Sequence, residues 1–428
     1  MNRPFKTSKS TKSGSGQMSQ LAPSPAAPIP AVYLKSRFSG VNIFRRQIGR
    51  VERAKPGDLV AVYGDRNKLL GYGLYNSRSE LALRMLWRTQ ELPTEDAWHQ
   101  RLQSAVDLRK HVLKLDNDTD AWRVIHAESD GFPGLVVDKL GDVLSAECFS
   151  LGMYRRAVII LEHLAALLGT RHAIVSTSPQ FESQEGPRPA DIRSEGCPND
   201  VVIQEFGTRY RVQFEGGHKT GFFCDQRDNR KRLAEFCSGR SVLDLCCYTG
   251  GFAVQAKSLG KAADVVGVDL DEVPLNLAKT NAKLNQQRIR FVQSDAFNYM
   301  RDMLASGRQF DVVVLDPPKL IRSRAEIESG TKKHFELNRL AMRLVQPGGM
   351  LLSCTCAGLL PEQEFIRLLA SAAQQSGAIT QAARNGRPPR HGPRTMQIIA
   401  RTGAAPDHPV VSNCLETDYL NAAWMILQ

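Results

Sequence analysis

The chain of 428 residues contains no apolar run long enough to cross a bilayer, and its first residues lack the apolar core of a secretory signal. Neither membrane insertion nor export is expected. Cysteines number 9, an odd count, and their spacings form no disulfide framework, so free thiols in a reducing cytoplasm are expected. Paired Cys-x-x-Cys motifs and histidine clusters are missing, and no metal site is expected. Cys354 and Cys356, two positions apart, are too isolated to build a metal site. No internal repeat is evident.

Basic residues are plentiful by comparison. Lys and Arg total 56 against 44 Asp and Glu, a formal net charge of +12. Such an excess favours a polyanionic partner, because basic side chains at phosphates release condensed counterions; solubility alone is the competing explanation. The length predicts two or three domains. Residues 1–30 are Ser, Pro, Lys and Ala without one acidic side chain, and read as a disordered basic tail. Residues 31–92 hold short β-like runs such as Asp58–Tyr63, Leu69–Tyr75 and Leu81–Trp87, punctuated by Pro56-Gly57 and Gly64-Asp65, which predicts a small barrel-like module.

Residues 93–205 read as a small α/β domain. It has helices over Thr94–Leu115 and Tyr154–Leu168, and strands near Trp122–His126, Leu135–Val137 and Ala173–Ser176. Ser178–Asp200, rich in Pro, Glu and Arg, is expected to be a long surface loop. Residues 206–428 then alternate apolar strands with helices. The strands are Ser241–Leu245, Asp264–Val268, Ile289–Gln293, Phe310–Leu315 and Met350–Ser353, a pattern that means a parallel, doubly wound sheet.

The loops of that sheet carry the chemistry. Ser241-Val-Leu-Asp-Leu-Cys-Cys-Tyr-Thr-Gly-Gly-Phe252 is a buried strand, a glycine turn and a helix start. Glycine there lets backbone approach a ligand closely, although any αβ turn would use it too. Asp244 ends the first strand, Asp269 the second, where ribose hydroxyls sit, and Asp295-Ala296 the third, suited to an adenine amino group. Tyr248, Thr249 and Gly250 form the loop itself. It is not the G-x-G-x-x-G fingerprint, which counts against NAD. Acid-tipped strands in this order resemble class I S-adenosylmethionine methyltransferases. Upstream, the polar Gly217–Arg230 stretch is assigned to the same pocket, with Gln226 and Arg227 as contacts and Asp225 as a helix cap.

Phe310-Asp-Val-Val-Val-Leu-Asp-Pro-Pro-Lys319 places Asp316 at a strand end, stiffened by two prolines. Amino-group methyltransferases typically follow the prolines with an aromatic ring; Lys319 stands here, against methylation of adenine nitrogen. Ser353-Cys-Thr-Cys-Ala-Gly358 supplies thiols. C5 of a pyrimidine is a poor nucleophile until a thiolate adds to C6, a covalent route that a cysteine beside the Asp316 turn would serve. Cysteine is also a common core residue, and Cys246, Cys247 and Cys354 are expected there. Cys354 and Cys356 share a face if their strand runs through both.

These stretches, with Glu128-Ser-Asp-Gly-Phe-Pro-Gly134, Cys356-Ala-Gly358 and Asp407-His-Pro409, together resemble the RlmI-type, PUA-containing cytosine-5 methyltransferases of large-subunit ribosomal RNA. The resemblance covers nearly the whole chain after the tail. It implies an N-terminal PUA module for RNA, a middle α/β domain and a Rossmann-like catalytic domain. It also implies S-adenosyl-L-methionine as cofactor and Cys356 as nucleophile, with Asp316 on the base. The implied partner is an accessible or single-stranded region of ribosomal RNA, in the cytoplasm and away from membranes, with a homodimer left open. Asn42-Ile-Phe44 departs from the family's Trp-containing stretch, and Arg384–Arg394 is an added basic loop. The same scaffold acting on another base atom, or a non-catalytic assembly factor, are the alternatives; a 5-fluorocytosine adduct and cofactor binding respectively discriminate them.

Overall fold

The computed structural model describes residues 21–22, 28–35, 38, 40–214, 221–377, 379–381 and 390–428. Residues 1–20 and 23–27 of the expected tail, Gly217-His-Lys-Thr220 and residues 384–389 of the basic loop lie outside them. Within the expected tail Leu21 is buried and the Ala22 N–H donates to Glu95 Oε1 at 2.8 Å, so the disorder expected over residues 1–30 does not hold there. The chain divides into two units. One comprises Met1–Gln204, Val212–Asp225 and Pro406–Thr417; the other comprises Glu205–Arg211, Gln226–Ala405 and Asp418–Gln428. No helix among the described residues is long and apolar enough to cross a membrane.

The first unit opens with six strands: β1 (Ala31–Leu34), β2 (Asn42–Ile43), β3 (Ile48–Glu52), β4 (Leu59–Tyr63), β5 (Leu69–Tyr75) and β6 (Leu83–Trp87). They form one sheet in the order β2-β6-β5-β4-β1-β3. Alternate residues of β4 serve two cores. Val60 and Val62 pack with Val32, Ile43 and Met85, whereas Leu59 and Ala61 join Leu74, Trp98 and Leu102. That double burial explains why β4 reads as an unbroken apolar run.

The middle of this unit contains α1 (Glu95–Asp107), β7 (Ala121–His126), β8 (Leu135–Leu140), β9 (Val143–Cys148), α2 (Leu151–Leu168), β10 (His172–Thr177), α3 (Phe181–Glu185) and β11 (Ile192–Arg193). The sheet order is β11-β10-β9-β8-β7. Thr94 caps α1 and Ser150 caps α2, each accepting a backbone N–H at 3.3 Å. Two expectations change. β9 is a strand not foreseen, because Ser145 and Glu147 alternate through it and are nonetheless buried. The segment expected as a long surface loop contains α3, with Phe181 buried and Glu185 paired with Arg84 at 3.1 Å and hydrogen-bonded to Asn76 at 2.8 Å.

A buried ion network gives the Glu128–Gly134 and Asp407–Pro409 stretches a structural role. Arg109, fully buried, donates to both carboxylate oxygens of Asp130 at 2.6 and 2.9 Å and to the Asp407 carbonyl at 2.7 Å. Asp407 in turn accepts from the Arg123 N–H at 2.8 Å, and Arg123 pairs with Asp138. Removing one member strands a buried charge, at a cost of ~3–5 kcal/mol.

The paired strands β12 (Asp200–Glu205) and β13 (Thr208–Gln213) precede the main part of the second unit. There α4 (Arg227–Ala234) and β14 (Ser241–Leu245) are followed by α5 (Gly251–Ser258), β15 (Asp264–Asp269), α6 (Glu272–Leu284) and β16 (Arg290–Gln293). Next come α7 (Ala296–Ala305), β17 (Phe310–Leu315), α8 (Ile327–Leu344), β18 (Val345–Thr355) and α9 (Glu362–Ala373). A short hairpin, β19 (Ile379–Gln381) with β20 (Arg390–His391), precedes β21 (Met396–Thr402) and β22 (Asn421–Leu427). The main sheet runs β16-β15-β14-β17-β18-β22-β21, with β14 to β18 parallel and β22 antiparallel to both neighbours. All five expected strands are present. The antiparallel pair β21–β22 is an addition that covers β18 and leaves it in the interior of the sheet.

Both faces of the sheet are buried, which is why its strands are continuous apolar runs. Val242, Val312, Leu352 and Cys354 point to the α4–α5 side, and Leu243, Val313 and Leu351 to the side of α8 and α9. The strand order reverses between β14 and β17. Open α/β sheets bind ligands beyond the strand ends at such a switch.

Candidate active site

The loop Cys246–Gly250 leaves β14 at that switch. Cys246, Tyr248 and Gly250 have φ of +61°, +49° and +79°. The left-handed region costs a non-glycine residue ~1–2 kcal/mol, so this loop must be held from outside. The Cys247 N–H donates to the Val268 carbonyl at 3.0 Å, and the Gly250 N–H to the Cys247 carbonyl at 2.8 Å. Asn281 donates to the Thr249 carbonyl at 3.0 Å. A Cβ at Gly250 would meet Ala278 at 3.1 Å and Phe291 at 3.2 Å, so only glycine satisfies both backbone and packing.

Asp269, at the tip of β15, accepts the Tyr248 N–H on Oδ2 at 2.8 Å and the Asp271 N–H on Oδ1 at 3.1 Å. Each carboxylate oxygen keeps a lone pair for a further donor. Asp295 caps α7, accepting the Asn298 N–H at 3.1 Å, and Ala296 is the first residue of that helix. Asp244 is different: it is fully buried and Oδ2 accepts the Ala253 N–H at 2.9 Å, anchoring α5 to the end of β14. Its Oδ1 has no hydrogen-bond partner among the described residues. Burial, with Asp316 and Asp269 nearby, pushes the Asp244 carboxyl well above the usual range.

Asp316 follows β17. Gln226 donates to its Oδ2 at 3.0 Å, Asn229 donates to Gln226 Oε1 at 2.7 Å, and Thr402 donates to Asn229 Oδ1 at 2.7 Å. The Trp424 indole N–H donates to Thr402 at 2.8 Å and completes the relay. Gln226 therefore faces Asp316 with its amide engaged at both ends. Gln226, and not Asp225, occupies the N-cap position of α4 and makes no side-chain cap bond. Arg227 is buried in the first turn of α4, with Nε 3.3 Å from Asp228.

Cys354 and Cys356 part company. Cys354 lies inside β18 with no exposed surface, packed with Leu352 and Trp424. β18 ends at Thr355, so Cys356 lies one residue beyond the strand and is partly exposed. Leu315 pairs with Ser353 in the parallel register, so Asp316 and Cys356 leave neighbouring strands at the same edge of the sheet.

Sequence patterning missed Asn229, Thr402, Asn281 and the buried pair Arg230–Glu205 at 2.7 Å. Their partners lie up to 174 residues away, and no local periodicity marks them.

The chemistry of this set suits S-adenosylmethionine. The Cys246 thiol is pushed well above its ordinary value by burial and then by Asp269, Asp316, Asp244 and Asp295, so four carboxyl groups converge on one loop. The carboxylates of Asp269 and Asp295, each with acceptor capacity beyond the backbone N–H it holds, suit a ligand with a ribose diol and amino groups.

The sheet order, the acid-tipped strands and the β14–α5 loop define a class I methyltransferase. Residues 188–393 match the family model of S-adenosylmethionine-dependent methyltransferases, and residues 40–88 that of PUA-like domains. A Vibrio cholerae protein named ribosomal RNA large subunit methyltransferase I is 33% identical over 91% of this chain and 98% of its own length. Its Aeromonas hydrophila counterpart is 34% identical over 88% and 93%. The chain belongs to the ribosomal RNA large subunit methyltransferase I family, and S-adenosyl-L-methionine is its cofactor. Two solved structures share the fold. A putative S-adenosylmethionine-dependent methyltransferase from Streptococcus mutans aligns with TM-score 0.75 at 18% identity, over 92% of this chain and 99% of that one. SMU.776, a putative methyltransferase complexed with SAH, aligns with TM-score 0.73 at 19% identity over the same shares.

Proposed function

We propose that the protein methylates C5 of a cytosine in large-subunit ribosomal RNA, acting in the cytoplasm, with Cys356 as the nucleophile. The observation that carries this reading is the contrast at the end of β18: Cys354 is sealed in the core, while Cys356 is partly exposed beside the Asp316 turn. In this reading residues 31–92 bind RNA, 93–205 form the middle domain and 206–428 carry catalysis.

S-adenosylmethionine, when bound, supplies an electrophilic methyl group. Asp269 would hold its ribose hydroxyls and Asp295-Ala296 its adenine edge. Tyr248, Thr249 and Gly250 supply the loop that approaches it, and Asp244 holds that loop on α5. Arg227 completes the pocket wall, and Gln226 serves it by fixing Asp316. The Cys356 thiolate adds to C6 of the base, which makes C5 nucleophilic. The Asp316 carboxyl bonds the N3 edge, where charge gathers as the thiolate adds. After transfer, loss of the C5 proton restores the ring double bond and expels the thiolate. The base must leave its stack to reach the site, which favours an accessible or single-stranded segment.

RNA carrying 5-fluorocytosine tests this directly, because fluorine at C5 cannot leave as a proton and the adduct persists. A denaturation-stable protein–RNA adduct that maps to Cys356 is expected. Methyl transfer to rRNA with no adduct would overturn the covalent route.

A further inference from the structure

The buried face of α8 carries polar groups that the reading above leaves unused. Gly330, His334 and Asn338 recur every four residues and are all buried, so they line one face of the helix. A Cβ at Gly330 would stand 2.6 Å from the Leu320 carbonyl, so glycine is what lets α8 press against the segment leaving the Asp316-Pro-Pro-Lys319 turn. One and two turns further along, the same face meets β18. His334 Nε2 lies 3.2 Å from Thr355 Oγ1, and Ser353 Oγ donates to Asn338 Oδ1 at 2.6 Å. The Asn338 amide donates to the His334 carbonyl at 2.8 Å and ties the two contacts together.

Surroundings make this chain of polar atoms expensive. Leu337, Leu340, Ala341 and Leu351 pack around it, and Phe365 meets the His334 ring edge-on at 6.1 Å between centroids. Apolar residues of like volume would stabilise such a core as well or better. A buried polar chain kept here is explained by the position it imposes. What it positions is the last residue of β18. Thr355 Oγ1 also accepts the Ala357 N–H at 3.3 Å, closing a turn with Cys356 at its centre. Rotating the Thr355 hydroxyl away would open that turn, and His334 is the side chain that fixes the hydroxyl.

We propose that His334 is a positioning residue for Cys356, acting through the Thr355 hydroxyl, so that one face of α8 sets both the Asp316 turn and the cysteine. Burial holds the imidazole down to about 4, so it is neutral at working pH and its contact with Thr355 does not switch with protonation there. Nδ1 has no hydrogen-bond partner among the described residues. Nε2 is therefore the ring nitrogen that makes the hydrogen bond, and its partner is the Thr355 hydroxyl. A hydroxyl that shares a hydrogen bond with His334 Nε2 and accepts the Ala357 N–H is held on two sides, and its orientation is determined.

The role as a positioner of the nucleophile rests on the reading of Cys356 given above, and the experiment separates the two. Full-length His334→Phe keeps the ring without the contact, Thr355→Val keeps the shape without the hydroxyl, and Thr355→Ser keeps the hydroxyl. The rate of Cys356 alkylation by iodoacetamide is followed by peptide mass spectrometry, with S-adenosylmethionine affinity measured by calorimetry. Losing one hydrogen bond should change the alkylation rate by about fivefold in His334→Phe and in Thr355→Val. Thr355→Ser should match the wild type, cofactor affinity should stay within about twofold, and the double variant should equal the larger single effect. Unchanged alkylation in both single variants, or effects that multiply in the double variant, would overturn the proposal. The 5-fluorocytosine trap on wild-type protein judges the nucleophile separately, since alkylation reports the setting of the thiol whether or not it attacks RNA.

Discussion

Cys354 and Cys356 differ by two positions in the chain and by one decisive boundary in the fold, and paired alanine variants should show opposite signatures. The Cys354 side chain is enclosed by Leu352, Ala422 and Trp424. Deleting its sulfur loses the transfer free energy of one buried heavy atom and leaves a small cavity, about 1–2 kcal/mol together. For a unit of this size that is a Tm lower by about 3–6 °C. Methyl transfer should persist, because nothing at the site is lost. Cys356 stands beyond the last residue of β18 and is partly exposed, so Cys356→Ala should leave Tm almost unchanged. It should also leave S-adenosylmethionine affinity intact, since the thiolate acts only on the base. Turnover should be abolished. The assays are tritium transfer from labelled cofactor to rRNA, thermal unfolding and calorimetry on both variants. If Cys356→Ala still methylates, or Cys354→Ala is the inactive one, the catalytic assignment fails.

Three more outcomes follow from the geometry. Asp269→Ala should weaken S-adenosylmethionine binding by about 1–3 kcal/mol in calorimetry, through unpaired ribose hydroxyls and a released Tyr248 N–H; unchanged affinity would refute its role. Lys319, Arg322 and Arg324 are exposed beside the Asp316 turn and form no ion pair among the described residues. Replacing all three by alanine should flatten the salt dependence of RNA affinity by about 0.7 per lost phosphate contact, and an unaltered slope would exclude them. Burial lowers His334 to about 4 and His126 to about 2, in the latter case with Arg123 and His408 adding to the effect, against 6.5 in the unfolded chain. The unfolded chain then binds more protons below neutrality, so stability is full above about pH 7 and falls as pH drops through 6.5. Each histidine should account for about 2 kcal/mol by pH 5, and the Tm of His334→Phe should decline less steeply over that interval than that of the wild type.

Much of the catalytic unit was legible because parallel strands buried on both faces leave apolar runs that cannot be mistaken for surface. Ser241–Leu245 and Phe310–Leu315 have the bounds expected of them. β9 was not legible, since buried Ser145 and Glu147 give it the look of a loop. The 178–200 segment hid α3, because the burial of Glu185 depends on Arg84 and Asn76 about a hundred residues earlier. The end of β18 was equally hidden: whether Cys356 lay in the strand depended on where pairing with β22 stops, at Thr355 opposite Asn421.

What the sequence by itself determined was the set of local, periodic features: the doubly wound order, the acidic residue at each strand tip, the glycine turn and the proline-stiffened Asp316. These follow from short-range backbone preferences and from the burial of whole strands, which neighbouring residues record. The tertiary structure alone decided that Asp244 anchors α5 while Asp269 holds the Tyr248 N–H, that Gln226 bonds Asp316, and that Cys354 and Cys356 lie on opposite sides of a strand end. Those outcomes turn on individual hydrogen bonds and on where the pairing of β18 with β22 stops. Such bonds are directional and form only once the sheet has brought its loops together, so no run of neighbouring residues carries their trace.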